Sequence, residues 1–161
     1  MSRLTITISL LIFATSCSNN TGSLSPENIT AVRDSVQSMA TSIAKTVSQE
    51  GPTAWLKYFE NTPEFFMASD GQLAFPNIDT ARNFINMVLV KNIRTIDLHW
   101  SDLRIDPLTT NVASIAAVFH EDITDSAGKK MPFDGYFTGV AHHSTQGWKL
   151  YNAHWSIKKT P

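Results

Sequence analysis

The sequence predicts an α+β domain, helices first and a sheet after them, on three observations. Apolar residues recur at steps of three and four as far as Leu89, the period of a helix face. From Ile93 onward they recur at steps of two, the period of a strand. Turn residues punctuate the second half, leaving room for several long strands joined in order. Three helices cannot cover both faces of such a sheet, so they are expected on one face.

Ser25-Pro26 reads as a helix N-cap with Pro at the first helical position. Ile29, Val32, Val36, Met39, Ile43 and Val47 then form one apolar stripe, and Gly51-Pro52 stops the helix. Trp55, Leu56 and Phe59 mark a second, short helix. Asp70-Gly71 between two apolar runs predicts a hairpin over Glu64–Phe75. Ile78, Ala81, Phe84, Ile85, Val88 and Leu89 mark a third helix. Ile96, Leu98 and Trp100 alternate, and Leu103 and Ile105 continue on the opposite parity, which predicts a bulge within one strand. Strands are expected over Val112–Asp122, Phe133–His143 and Trp148–Ile157, with Asp125–Lys129 and Gly147 in the connections.

The first sixteen residues have a different character. Met1-Ser2-Arg3 is a short positive start, and Leu4 to Ala14 is apolar but too short to span a bilayer. Ala14-Thr15-Ser16-Cys17 resembles the bacterial lipobox, which implies a cleaved signal peptide over 1–16 and a lipid on Cys17. Residues 17–24 then read as the lipidated Cys and a polar tether, and 25–161 as the folded domain. The resemblance implies a bacterial cell-envelope protein held to a membrane through that lipid. No acidic residue directly follows Cys17, which favours the outer membrane, facing the periplasm, over the inner one. An ordinary secretory leader with an incidental Cys17 is the competing reading.

Composition excludes some functions. The chain carries 13 basic and 14 acidic side chains without a basic stripe, which argues against a nucleic-acid partner. Its single Cys excludes a disulfide within the chain. His120-Glu121-Asp122 and His142-His143 invite a metal, but adjacent strand residues point to opposite faces, and no H-x-x-x-H or C-x-x-C occurs. No metal or cofactor is expected. No G-x-S-x-G marks a nucleophile.

Trp55 to Phe59, Asp70-Gly71, Asn111-Val112-Ala113, Asp125, Gly128, and above all Gly147-Trp148-Lys149-Leu150 through His154-Trp155-Ser156 resemble the SnoaL-like branch of the nuclear-transport-factor-2-like superfamily. The resemblance covers about residues 30–157. It implies a cone-shaped, curved antiparallel sheet, a cystatin-like roll, closed on one side by the helices around a pocket. Such domains include isomerases, dehydratases and hydrolases as well as binding and assembly modules, so fold alone does not decide function.

Strict alternation along the last strand puts Trp148, Leu150, Asn152, His154 and Ser156 on one face, apolar at one end and polar at the other, as a pocket wall would be. His154 is then the first catalytic candidate, because its pKa lies near neutrality. A structural His bonded to its neighbours is the alternative. Glu121 follows Ala113, Ile115, Ala117 and Phe119 on one face and stands either at a cavity rim or at a solvated strand end. Asp134, on a face with Tyr136 and Thr138, is the third candidate, or a turn carboxylate. Trp55, Tyr58, Phe59, Phe66, Trp100, Phe119, Tyr136, Asn152 and His154 make up the expected ligand lining, suited to an apolar or aromatic molecule. Core packing is the alternative for each aromatic.

Three functions compete. A binder of a small apolar or aromatic molecule is expected to show an enclosed aromatic cavity with no carboxylate aimed into its centre. A metal-free acid–base enzyme of the isomerase, dehydratase or hydrolase type needs His154 within reach of Asp134 or Glu121. A homodimeric assembly module would pair through the open sheet face, where alternation puts Tyr151, Trp155 and Ile157.

Overall fold

The computed structural model describes residues 23–159; the signal-peptide and Cys17 readings lie outside the described residues. Helix α1 (Pro26–Glu50) starts where Ser25 Oγ accepts from the Asn28 amide at 3.2 Å. It ends at Gly51, whose φ of 78° belongs to the left-handed half of backbone space that glycine enters without strain. Val32, Val36, Met39, Ile43 and Val47 are its buried stripe, as the periodicity predicts. A 3₁₀ helix (Pro52–Lys57) follows, then hairpin β1 (Phe66–Ser69) and β2 (Gln72–Phe75). Asp70 and Gly71 both have positive φ, the geometry of a tight hairpin turn. The third helix is α2 (Ile78–Phe84), continued by a π-helical turn (Ile85–Leu89) and a last α-turn, α3 (Val90–Asn92). No described helix is long and apolar enough to cross a membrane.

Strands β3 (Ile93–Pro107), β4 (Val112–Asp125), β5 (Lys130–Ser144) and β6 (Gly147–Ile157) form a meander. The six-stranded sheet has the order β2-β1-β6-β5-β4-β3, antiparallel throughout except for β1 beside β6. Helix α1 lies along β3, where the Trp100 indole N–H donates to Ala40 O at 3.0 Å and the Leu98 amide donates to Ser48 Oγ at 2.9 Å. An edge strand is thereby covered and one of its donors satisfied.

Of the four places where the strand register shifts, two bear on the site. On β3 the pairing jumps between Ser101 and Arg104, where Asp102 has a φ of 49°. This is the predicted parity switch. On β6, Val140 faces Asn152 but Ala141 faces Leu150, so Tyr151 has no partner. Curvature is also written into Gly135, which stands between Phe119 and Ile157: a Cβ there would lie 2.2 Å from Ser156 O and 2.6 Å from the Phe119 ring. Large aromatic bulk thus fills the inside of the curve.

Candidate functional site

The β6 bulge decides what faces the helices. Before it Leu150 is buried; after it Ala153, Trp155 and Ile157 take the inner side, leaving Asn152, His154 and Ser156 on the outer face. Strict alternation along β6 therefore fails at Tyr151, and the row expected to line the pocket is broken in two. The apolar set placed on the open face is corrected likewise: Trp155 and Ile157 turn inward.

On that inner side a cleft of about 180 Å³ opens among β4, β6, the hairpin beside β6, the 3₁₀ helix and the third helix. Trp55 and Phe59 stack at 5.9 Å, and Trp155 meets Trp55 edge-on at 5.1 Å. Met67, Phe75, Phe84, Ile85, Leu89 and Ile157 complete the apolar wall. The polar residues in it are Ser69 and Glu121. Partly exposed Phe84 and Ile157 stand in this lining, so the cleft is open at its rim rather than enclosed.

Glu121 sits on β4 between Leu98 of β3 and Phe133 of β5, all three on the inner face. Ala113, Ile115, Ala117 and Phe119 precede it as the buried row that the alternation predicts. Burial pushes its carboxyl up to about 7, with no neighbouring charge or hydrogen bond contributing. A carboxyl so placed is partly ionised near neutrality and can either accept or donate a proton.

The remaining sequence candidates go elsewhere. The Tyr58 hydroxyl is bound to α1, 2.7 Å from Thr46 Oγ1 and donating to Ser42 O at 3.0 Å. Trp100 is likewise held by α1. Phe119 is 1% exposed, packed over Gly135 behind the cleft. Phe66 and Tyr136 are 41% and 46% exposed, and Tyr136 lies on the outer face beside Ser156. Asn152 Oδ1 accepts from the Val140 amide at 3.1 Å, which makes it a bulge residue. His154 stands opposite Thr138 on the outer face, away from Glu121. Asp134 binds His120 instead, at 2.7 Å to Nδ1, and this hydrogen bond raises the His120 pKa above its ordinary value. The dyads of His154 with Asp134 or Glu121 are therefore not formed.

Sequence reasoning passed over Met67, Ser69, Phe75, Phe84, Ile85, Leu89, Trp155 and Ile157 as lining. One signal for the β6 pair was present: Trp148 and Leu150 are apolar on one parity and Ala153, Trp155 and Ile157 on the other, the same switch that marks the β3 bulge. A second carboxylate–histidine pair was also missed. Glu60, 7% exposed, takes His142 Nδ1 at 2.8 and 3.0 Å to its two oxygens.

Fold and cleft together define a class: a small curved-sheet α+β domain of the nuclear-transport-factor-2-like kind, with an aromatic hollow under its helices. Within that class, the chain belongs to the calcium/calmodulin dependent protein kinase II association domain family, which residues 58–159 match. Among solved structures it is similar to a nuclear transport factor 2-like superfamily protein from Salmonella enterica (TM-score 0.69, 16% identity, 81% of this chain and 94% of that one). It is also similar to a candidate scytalone dehydratase from Novosphingobium aromaticivorans (TM-score 0.71, 12% identity, 84% and 89% covered). A candidate association domain of the same family from Xanthomonas campestris gives a TM-score of 0.63 at 17% identity, with 78% and 87% covered. These likenesses establish the fold. No curated protein matches the chain in sequence.

Proposed function

We propose that this domain binds a small apolar or aromatic molecule in the cleft, with Glu121 as its main polar anchor. The observation that carries this is an aromatic-walled hollow open to solvent at the rim; the Glu121 carboxyl in its lining departs from the enclosed, carboxylate-free cavity expected of a binder and supplies the ligand's polar contact. Apolar cavities of roughly 150 Å³ take up benzene, so about 180 Å³ suits a single ring or a short branched chain. Ligand-observed NMR with phenol and toluene tests it. Saturable binding is expected, reduced by Ile157→Trp, a change at the exposed rim that the fold can accept. Absence of saturable binding by both probes, and by a cationic ring of the same size, would refute the reading.

A second reading is acid–base catalysis by Glu121 on the bound molecule. It is favoured by a carboxyl that titrates near neutrality, where proton exchange is most efficient. A third is association between copies through the outer sheet face, which no described helix covers and where Tyr136 is exposed. Membership of an association-domain family supports it. A sizing run returning only monomer would count against it.

Anchorage at the bacterial envelope through Cys17 belongs to the same proposal, on the strength of the lipobox-like sequence. Metabolic labelling with a radioactive fatty acid should mark the protein, and Cys17→Ser should abolish the label and release the protein from membranes. An unlabelled wild-type protein would remove the anchor.

A further inference from the structure

We infer that the occupant of the cleft is a cationic amine: one apolar ring or branched chain carrying an ammonium group that pairs with Glu121. This rests on the reading of the cleft as a ligand site and narrows its chemistry.

The inference comes from charge that is left uncompensated. From β3 the residue facing Glu121 is Leu98, and from β5 it is Phe133. Around it in the cleft stand Trp55, Phe59 and Trp155, with Ser69 as the other polar residue. No Lys, Arg or His is among the described lining residues. Asp70, next to Ser69, adds a second carboxylate near the rim, where its Oδ1 accepts from the Ile157 amide at 2.9 Å. An isolated carboxylate in an apolar wall is costly unless it is protonated or paired. Burial accordingly raises its pKa. A ligand cation would reverse that cost by supplying a charge-assisted hydrogen bond, while the aromatic faces attract the same charge. An anionic ligand would meet only like charge, and a neutral one would offer at most an uncharged hydrogen bond and leave the charge uncompensated.

Benzylamine, benzyl alcohol and benzoate have one shape and three charges, and titrating each into the purified protein separates the cases. At about pH 8 benzylamine should bind at least about tenfold more tightly than benzyl alcohol, with benzoate weakest. The advantage should shrink towards about pH 6, as Glu121 takes up a proton. Glu121→Gln should erase it while benzyl alcohol still binds. Benzyl alcohol binding as well as benzylamine at the higher pH, or an amine preference that survives Glu121→Gln, would overturn the inference and leave the ligand site standing. Failure of all three to bind would remove both.

Discussion

Leu150 and Ala153 lie three positions apart on β6, yet both are buried in the same core, because the unpaired Tyr151 takes up one residue between them. The side chain of Asn152 secures this arrangement by accepting the Val140 amide. A partly buried amide left without an acceptor costs about 1–3 kcal/mol. Asn152→Leu should therefore lower stability by about that amount in urea unfolding, whereas Asn152→Asp, which keeps an acceptor, should lose less.

Gly135 permits the close approach of β5, β6 and Phe119. In Gly135→Ala the new methyl meets a backbone carbonyl, which cannot move aside as a flexible side chain could. A loss of about 3 kcal/mol or failure to fold is expected. Gly135→Ala combined with Phe119→Leu should recover only part of the loss, since the Ser156 carbonyl remains in the way. Thermal melts of the single and double variants check this.

Glu60 and His142 connect the segment after the 3₁₀ helix to β5. Removing His142 leaves a buried carboxylate without its donor. His142→Phe should cost about 2–3 kcal/mol, and Glu60→Gln less, because the amide can still bond to the ring. A double-mutant cycle in urea should give a coupling of about 1 kcal/mol or more.

Glu121 makes stability depend on pH in a sense opposite to that of most carboxylates. The unfolded chain ionises this group around its ordinary value of 4.5, while the folded protein holds the proton until about 7. Between those values the native state binds more protons, so stability falls as pH rises and then levels off. Solvent at the cleft mouth limits the effect to about 1–3 kcal/mol. The difference in urea midpoint between wild type and Glu121→Gln should therefore move in favour of the variant between about pH 5 and 8.

Most of the fold was legible in the sequence because each element carried its own period. The stripe from Val32 to Val47, the Asp70-Gly71 turn and the β3 parity switch at Trp100 and Leu103 are local signals. The site was legible only in part. Glu121, Trp55 and Phe59 were picked out, since each follows from its own strand or short helix. His154 was misplaced because one extra residue at Tyr151 turns over everything after it. Met67, Phe75 and Phe84 were passed over because the hairpin joins the sheet only through the long-range parallel pairing of β1 with β6, and the third helix reaches the cleft only through tertiary packing. Trp100 and Tyr58 look like pocket residues in composition, but bonds to α1 hold them against the core, outside the cleft lining.

The central claim is that Glu121 stands in an apolar cleft without a counterion. Its side-chain carboxyl carbon, followed by ¹³C NMR from about pH 4 to 9 and assigned with Glu121→Gln, reports on this directly. A midpoint near 7 is predicted. A midpoint at or below the ordinary 4.5 would mean that a positive group or water already compensates the charge, and would contradict the account.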